Sequence, residues 1–167
     1  MAQKTGRSPF LGDSPWSWLR EYHVDSLSQR PWVILRDGAG FSDPLTMDYL
    51  TFCAWQDRTP KQVRSDGRWL AIAATWLAGD TRYDWANADL DVWHAFVQDV
   101  AFHARVHHQA AEWQARQVVE TLHRAYAYWH WVQPQRFRFQ PFPGHPTGRR
   151  EWIDHTLGSI AEDLWDI

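Results

Sequence analysis

Apolar residues return at helical spacing through most of the chain. From residue 43 onward Leu45, Tyr49, Phe52 and Cys53 recur three or four apart. Ser42 or Asp43 can cap this run and Pro44 suits a first turn, so a first helix ending near Gln56 is predicted. Thr59-Pro60 is a strong start signal, because the Thr hydroxyl can accept an unpaired backbone N–H and Pro lacks that donor. The second helix turns Val63, Leu70, Ala73, Trp76 and Leu77 inward, with Gly67 allowing close approach. Lys61, Arg64, Ser65 and Arg68 share its opposite side, and Ala78-Gly79-Asp80 closes it. After a loop through Tyr83-Asp84-Trp85, a third helix capped by Asn87 or Asp89 aligns Leu90, Trp93, Phe96, Val97 and Val100. Periodicity blurs around Ala104 to Gln109. A fourth helix, ended by Pro134, then buries Ala111, Ala115, Val118, Val119, Leu122, Tyr126 and Trp129.

The flanks follow other rules. Residues 1–40 are rich in Pro, Ser, Gly and Asp, with aromatic islands at Trp16-Ser17-Trp18 and Trp32-Val33-Ile34-Leu35. Arg36-Asp37-Gly38 after the second island is a strand-then-turn signal, so an irregular arm with one short strand is expected. Arg136-Phe137-Arg138-Phe139 alternates at period two, which predicts a short strand able to pair with the Val33 region. Beyond the Pro- and Gly-rich stretch from Pro141 to Gly148, Ile153, Leu157, Ile160, Ala161, Leu164 and Trp165 line one side of a tail helix. The expected class is mainly α.

Length and composition narrow the function. At 167 residues the chain has room for one ordinary domain with an appended arm. Its 13 Trp, 8 Phe and 5 Tyr make an unusually aromatic core, from which several rings should remain partly exposed. Net charge is -3, so any nucleic-acid footprint has to be a local patch. A single cysteine, Cys53, rules out an intramolecular disulfide, and the opening residues lack the apolar core of a secretory signal, which predicts a cytoplasmic protein. The longest apolar stretch, about ten residues around Leu70 to Ala78, is half a bilayer crossing. No membrane span is expected.

The run from Thr59-Pro60-Lys61-Gln62-Val63-Arg64-Ser65 through Trp69-Leu70 to Ala74-Thr75-Trp76-Leu77 resembles the opening helix of the SAM-like core-binding domain of tyrosine recombinases, the phage integrases. Asn87 to Val97 is similar to the helix that family places next. Val119, Leu122, Ala125, Tyr126 and Trp129 are similar to its last core-binding helix. Gln62 stands where the family usually has Thr, and Asp66 with Gly67 replace a common aromatic-basic pair. The resemblance implies a four-helix SAM-like orthogonal bundle over 43–133, preceded by the arm (1–42) and followed by a linker and C-terminal helix (134–167). In that family a catalytic domain supplies the Arg, Lys, His and Tyr that cleave DNA. Only 35 residues follow Val132, too few for it, so the resemblance implies a non-enzymatic module that clamps double-stranded DNA in DNA recombination and integration. Carried over residue by residue, DNA contacts fall to Lys61, Arg64, Ser65 and Arg68, and on the last helix to Gln114, Arg116, Gln117 and Arg124. No cofactor is implied.

The residues leave other readings open. From Thr59 to Arg138 nine basic and eight acidic residues leave a net charge of +1, and an ordinary solvated surface accounts for Lys61, Arg64 and Arg68 without DNA. His103 and His107, four apart with His108 adjacent, could bring imidazoles together at a metal. Cys53 falls on an inward stripe, and Asp89 and Asp91 suit a helix start better than acid–base work. No Gly-x-Ser-x-Gly elbow, Walker loop or dinucleotide fingerprint is present. Trp16, Trp18 and Trp32 are candidates for a contact surface. The competing reading is therefore a protein-interaction module that uses the aromatic arm and the tail helix, the latter exchanging between copies as a homo-oligomer. That helix carries Glu151, Asp154, Glu162, Asp163 and Asp166 and would repel DNA.

Overall fold

The computed structural model describes residues 43–56 and 58–159, with the backbone of four short strands before them. The strands are β1 (Trp16–Trp18), β2 (His23–Val24), β3 (Pro31–Trp32) and β4 (Leu35–Asp37). Five helices follow: α1 (Pro44–Trp55), α2 (Pro60–Ala78), α3 (Leu90–Val106), α4 (Ala111–Val132) and α5 (Pro146–Gly158). The protein is mainly helical. It divides into two compact units, Met1–Arg82 and Tyr83–Ile167, a division that falls inside the 43–133 stretch.

In the first unit β1 pairs antiparallel with β4, Ser17 opposite Arg36, and β2 with β3, His23 opposite Trp32. β1 runs beside α2 and β3 beside α1. Asp43 occupies the N-cap of α1 without a side-chain capping bond, and the hydroxyl of Thr46 donates to its carbonyl at 3.2 Å. α1 buries Leu45, Tyr49, Leu50, Cys53 and Ala54, while Phe52, expected inside, is half-buried. α2 starts with a reciprocal capping box. The Gln62 amide N–H donates to Thr59 Oγ1 (3.2 Å), and the Thr59 N–H donates to Gln62 Oε1 (3.0 Å). Gln62 thus has a local role: its side-chain carbonyl reaches back to the cap N–H.

The second unit is built on rings. α3 starts at Asp89, whose carboxylate accepts from Val92 N–H at 3.0 Å, whereas Asn87 closes a reciprocal turn with Asp84. Trp85 stacks on Trp93 (5.8 Å between centroids) and packs against Trp129 at 5.1 Å. Tyr126 meets Trp93, Trp129 and Phe137 edge-on and donates its hydroxyl to the Trp85 carbonyl. Burial pushes that phenol's pKa far up, so it remains a donor at any ordinary pH.

The stretch from Arg136 to Phe139 is not a strand, contrary to its alternation. The backbone N–H groups of both Arg136 and Phe137 bond to the Gln133 carbonyl, curling the chain directly after α4. Strand pairing in the described residues stays within the arm. The tail helix α5 begins at Pro146 and buries Arg149, Ile153 and Thr156 against α3 and α4 of its own unit. Ile160, Ala161, Leu164 and Trp165 lie outside the described residues, as do the side chains of Trp16, Trp18 and Trp32.

Arg149 is 5% exposed and holds this unit together. Nε and Nη2 bond the two Glu120 oxygens (2.7 and 3.1 Å), and Nη1 bonds the carbonyls of Pro143 and Gly144 (3.0 and 2.9 Å). Removing it takes the donor from four acceptors, the two Glu120 oxygens and the carbonyls of Pro143 and Gly144, and leaves a hole where a buried side chain stood. Arg149→Ala is expected to destabilise the protein by about 3 kcal/mol. Arg149→Lys should recover little of this, since an ammonium cannot match the fork. Urea denaturation midpoints of the three proteins check both statements.

Candidate nucleic-acid interface

Lys61, Arg64, Ser65 and Arg68 stand at i, i+3, i+4 and i+7 of α2 and are all exposed. The opposite side of the helix, from Val63 to Leu77, is buried. The exposed row is about 10 Å long at 1.5 Å per residue. The Arg68 guanidinium lies 5.8 Å from the Trp69 ring centroid. The only acid of α2, Asp66, does not reach this row. It is 2% exposed, accepts from Tyr49 Oη (3.3 Å) and pairs with Arg58 Nη2 (2.9 Å). With that carboxylate on the buried side, α2 itself contributes no acid to the exposed row.

The nominated residues of α4 are partly brought together. At 100° per residue Gln114, Gln117, Thr121, Arg124, Tyr128 and Trp131 share one flank of the helix, and Arg116 falls roughly 100° from it. Gln114, Gln117 and Arg124 are half-buried. Gln114 bonds Gln109 (2.7 Å), Arg124 reaches the Thr121 hydroxyl (3.4 Å), and exposed Arg116 pairs with Glu112 at 2.6 Å. This flank therefore offers a polyanion less than α2 does.

Other polar clusters have structural explanations. His103 and His107 do meet at the end of α3, with ring centroids 4.3 Å apart, and His108 follows in the left-handed region (φ 54°). Among the described residues no group of three or more His, Cys, Asp or Glu side chains is placed to hold a metal ion. His94 contacts Thr156 Oγ1 through Nδ1 (3.0 Å) and Ser159 Oγ through Nε2 (3.4 Å), a serine–histidine arrangement on paper. The Ser159 hydroxyl, however, donates to the Thr156 carbonyl at 2.9 Å and accepts from Gln98 Nε2 at 2.8 Å, bonds that tie the end of α5 to α3. The cluster is a clasp between α3 and α5.

Two signals were passed over in the sequence. From Thr121 to Arg150 there are five arginines and neither Asp nor Glu. Averaging charge over Thr59 to Arg138 conceals this, because the acids of that window all precede the run. Among the described residues of the second unit the exposed large rings are Trp113, Trp131 and Phe139, of which the last two lie in the same run. No described helix is long and apolar enough to cross a membrane. Compared with protein-family models, curated proteins and solved structures, the chain matches none.

Protonation of the second unit is opposed at two histidines. The pKa of His103 is lowered by burial and then by His107. That of His123 is lowered by burial and by Arg149 and Arg124, against an opposing pull from Glu120. Above pH 6.5 both side chains are neutral whether the chain is folded or not. Below it the unfolded chain takes up protons first, so stability should fall as pH drops through the lowered native values. Melting temperatures recorded from pH 7.5 down to about 5 should decline, and the decline should be shallower in His123→Asn.

Proposed function

We propose that the chain is a non-catalytic DNA-binding module of the recombinase core-binding type, gripping duplex DNA through the outer face of α2. The observation that carries this reading is the unbroken exposed row Lys61, Arg64, Ser65 and Arg68, on a helix whose single acid is buried and paired on the other side. The three cations neutralise phosphates and release counterions, and the Ser65 hydroxyl donates to a phosphate oxygen. Such contacts position a duplex without reading its sequence. Gln114 and Gln117 of α4, in the second unit, are by themselves candidates for base-edge contacts, their amides suiting adenine. The SAM-like arrangement of 43–133 belongs to the same proposal.

The competing reading, assembly through the tail helix, has less to draw on in the described residues, because Arg149, Ile153 and Thr156 of α5 already face their own unit. Fluorescence anisotropy with labelled duplex DNA at several salt concentrations separates the two. Binding is expected at low salt and should weaken as salt rises. In Lys61→Ala/Arg64→Ala/Arg68→Ala the logarithmic salt slope should shrink by about 2.7, three phosphate contacts at about 0.9 each. Absence of duplex binding at low salt removes the proposal.

A further inference from the structure

The last turn of α4 and the turn after it each leave one large ring mostly in water. Phe137 is buried, stacked on Trp129 at 5.3 Å, and its carbonyl accepts from His130 Nδ1 at 2.6 Å. Phe142 is buried against Trp152 (5.5 Å) and Tyr126 (6.4 Å). Two phenylalanines therefore pin the ends of a short segment, and the ring between them, Phe139, is 84% exposed. Just before the turn, Trp131 is 71% exposed and rests edge-on against Tyr128 at 6.1 Å. Burying either ring would remove a large apolar area from water, so leaving both outside on a pinned backbone costs stability that a partner can recover.

The surroundings define that partner's chemistry. Arg136 and Arg138 are exposed on either side of Phe137. Arg138 Nε bonds the Gln135 carbonyl at 3.2 Å, and the Arg136 guanidinium lies 5.6 Å from the Phe137 ring centroid. Gln133, Gln135 and Gln140 supply the remaining polar groups, and no acid occurs between Thr121 and Arg150. A ligand that fits must be anionic, must present flat faces to Trp131 and Phe139, and must offer hydrogen bonds to amides. Single-stranded nucleic acid offers all three at every residue, whereas an acidic peptide does so only where it carries aromatic side chains, a bilayer offers no flat faces, and a duplex keeps its base faces stacked inside.

We propose that the turn joining α4 to α5 is a binding site for single-stranded nucleic acid, with unpaired bases stacked on Trp131 and Phe139 and phosphates held by Arg136 and Arg138. The site uses residues separate from the α2 row.

The test titrates the full chain with a labelled oligothymidine of about fifteen nucleotides, within the span one small domain covers. Binding at low salt with quenching of tryptophan fluorescence is expected. Trp131→Ala and Phe139→Ala should each weaken it by roughly 5- to 100-fold, and Trp131→Phe, which keeps a ring, should restore most of the loss. Arg136→Gln/Arg138→Gln should reduce the salt slope by about 1.4, two contacts at about 0.7 each. All four positions are solvent-facing, and circular dichroism should show unchanged helicity. Binding that survives Trp131→Ala and Phe139→Ala but is lost in the α2 triple variant overturns the site while leaving the duplex reading intact. Oligothymidine binding no tighter than that of poly-aspartate, or binding only to phosphatidylglycerol vesicles, also overturns it.

Discussion

A guanidinium taken out of water carries five N–H groups that each need an acceptor, and few places in a small protein can supply them together. Arg149 finds them on a helix surface and a turn at once: both oxygens of Glu120 on α4, and the carbonyls of Pro143 and Gly144. The first turn of α5 is drawn in so closely that a Cβ on Gly148 would sit 3.1 Å from Pro143. An added side chain there would require the Pro143 ring to give by a few tenths of an ångström. Because the guanidinium fixes residues 143–144 and Phe137 fixes the start of the turn, the intervening segment has little freedom. Its exposed ring is held in place by these anchors rather than by contacts of its own.

The two basic surfaces are made differently. On α2, cations are set in one row by helical spacing alone, and the acid that would weaken the field is sequestered with Arg58 and Tyr49. On the turn after α4, cations alternate with rings in the sequence, and the core takes one phenylalanine while solvent keeps the other. The first arrangement suits the regular, closely spaced charge of a duplex backbone. The second suits a strand whose bases are free to leave one another.

How far this was legible in the sequence differs by element. Thr59-Pro60 announced α2 to the residue, because capping chemistry is local, and the inward stripes of α2, α3 and α4 followed from spacing, except that Leu90 and Ala111 at the starts of α3 and α4 are only half-buried. The alternation from Arg136 to Phe139 misled for a physical reason. A strand would place both phenylalanines on one face, but the Gln133 carbonyl collects two N–H groups and curls the backbone, separating them between core and water. That bond depends on Trp129 and Tyr126 already forming a pocket for Phe137, which no short window contains. Likewise Trp131 belongs to an aromatic run, Tyr128 to Val132, whose composition alone does not say which ring faces water. Its place on the polar flank of α4, in register with Gln114, Gln117 and Arg124, was available from spacing.

The hydroxyl of Tyr126 reaches across 41 positions to the Trp85 carbonyl, and Trp85 itself sits among Trp93 and Trp129. The chain ahead of α3 thus supplies a wall of the core that α4 later closes. Until α4 has been made, this indole has no complete pocket, so the unit entering at Tyr83 cannot mature piecewise as synthesis proceeds. Its earliest-emerging tryptophan must wait for its latest-emerging partners, and a chain halted before Trp129 would present that ring to whatever else is nearby.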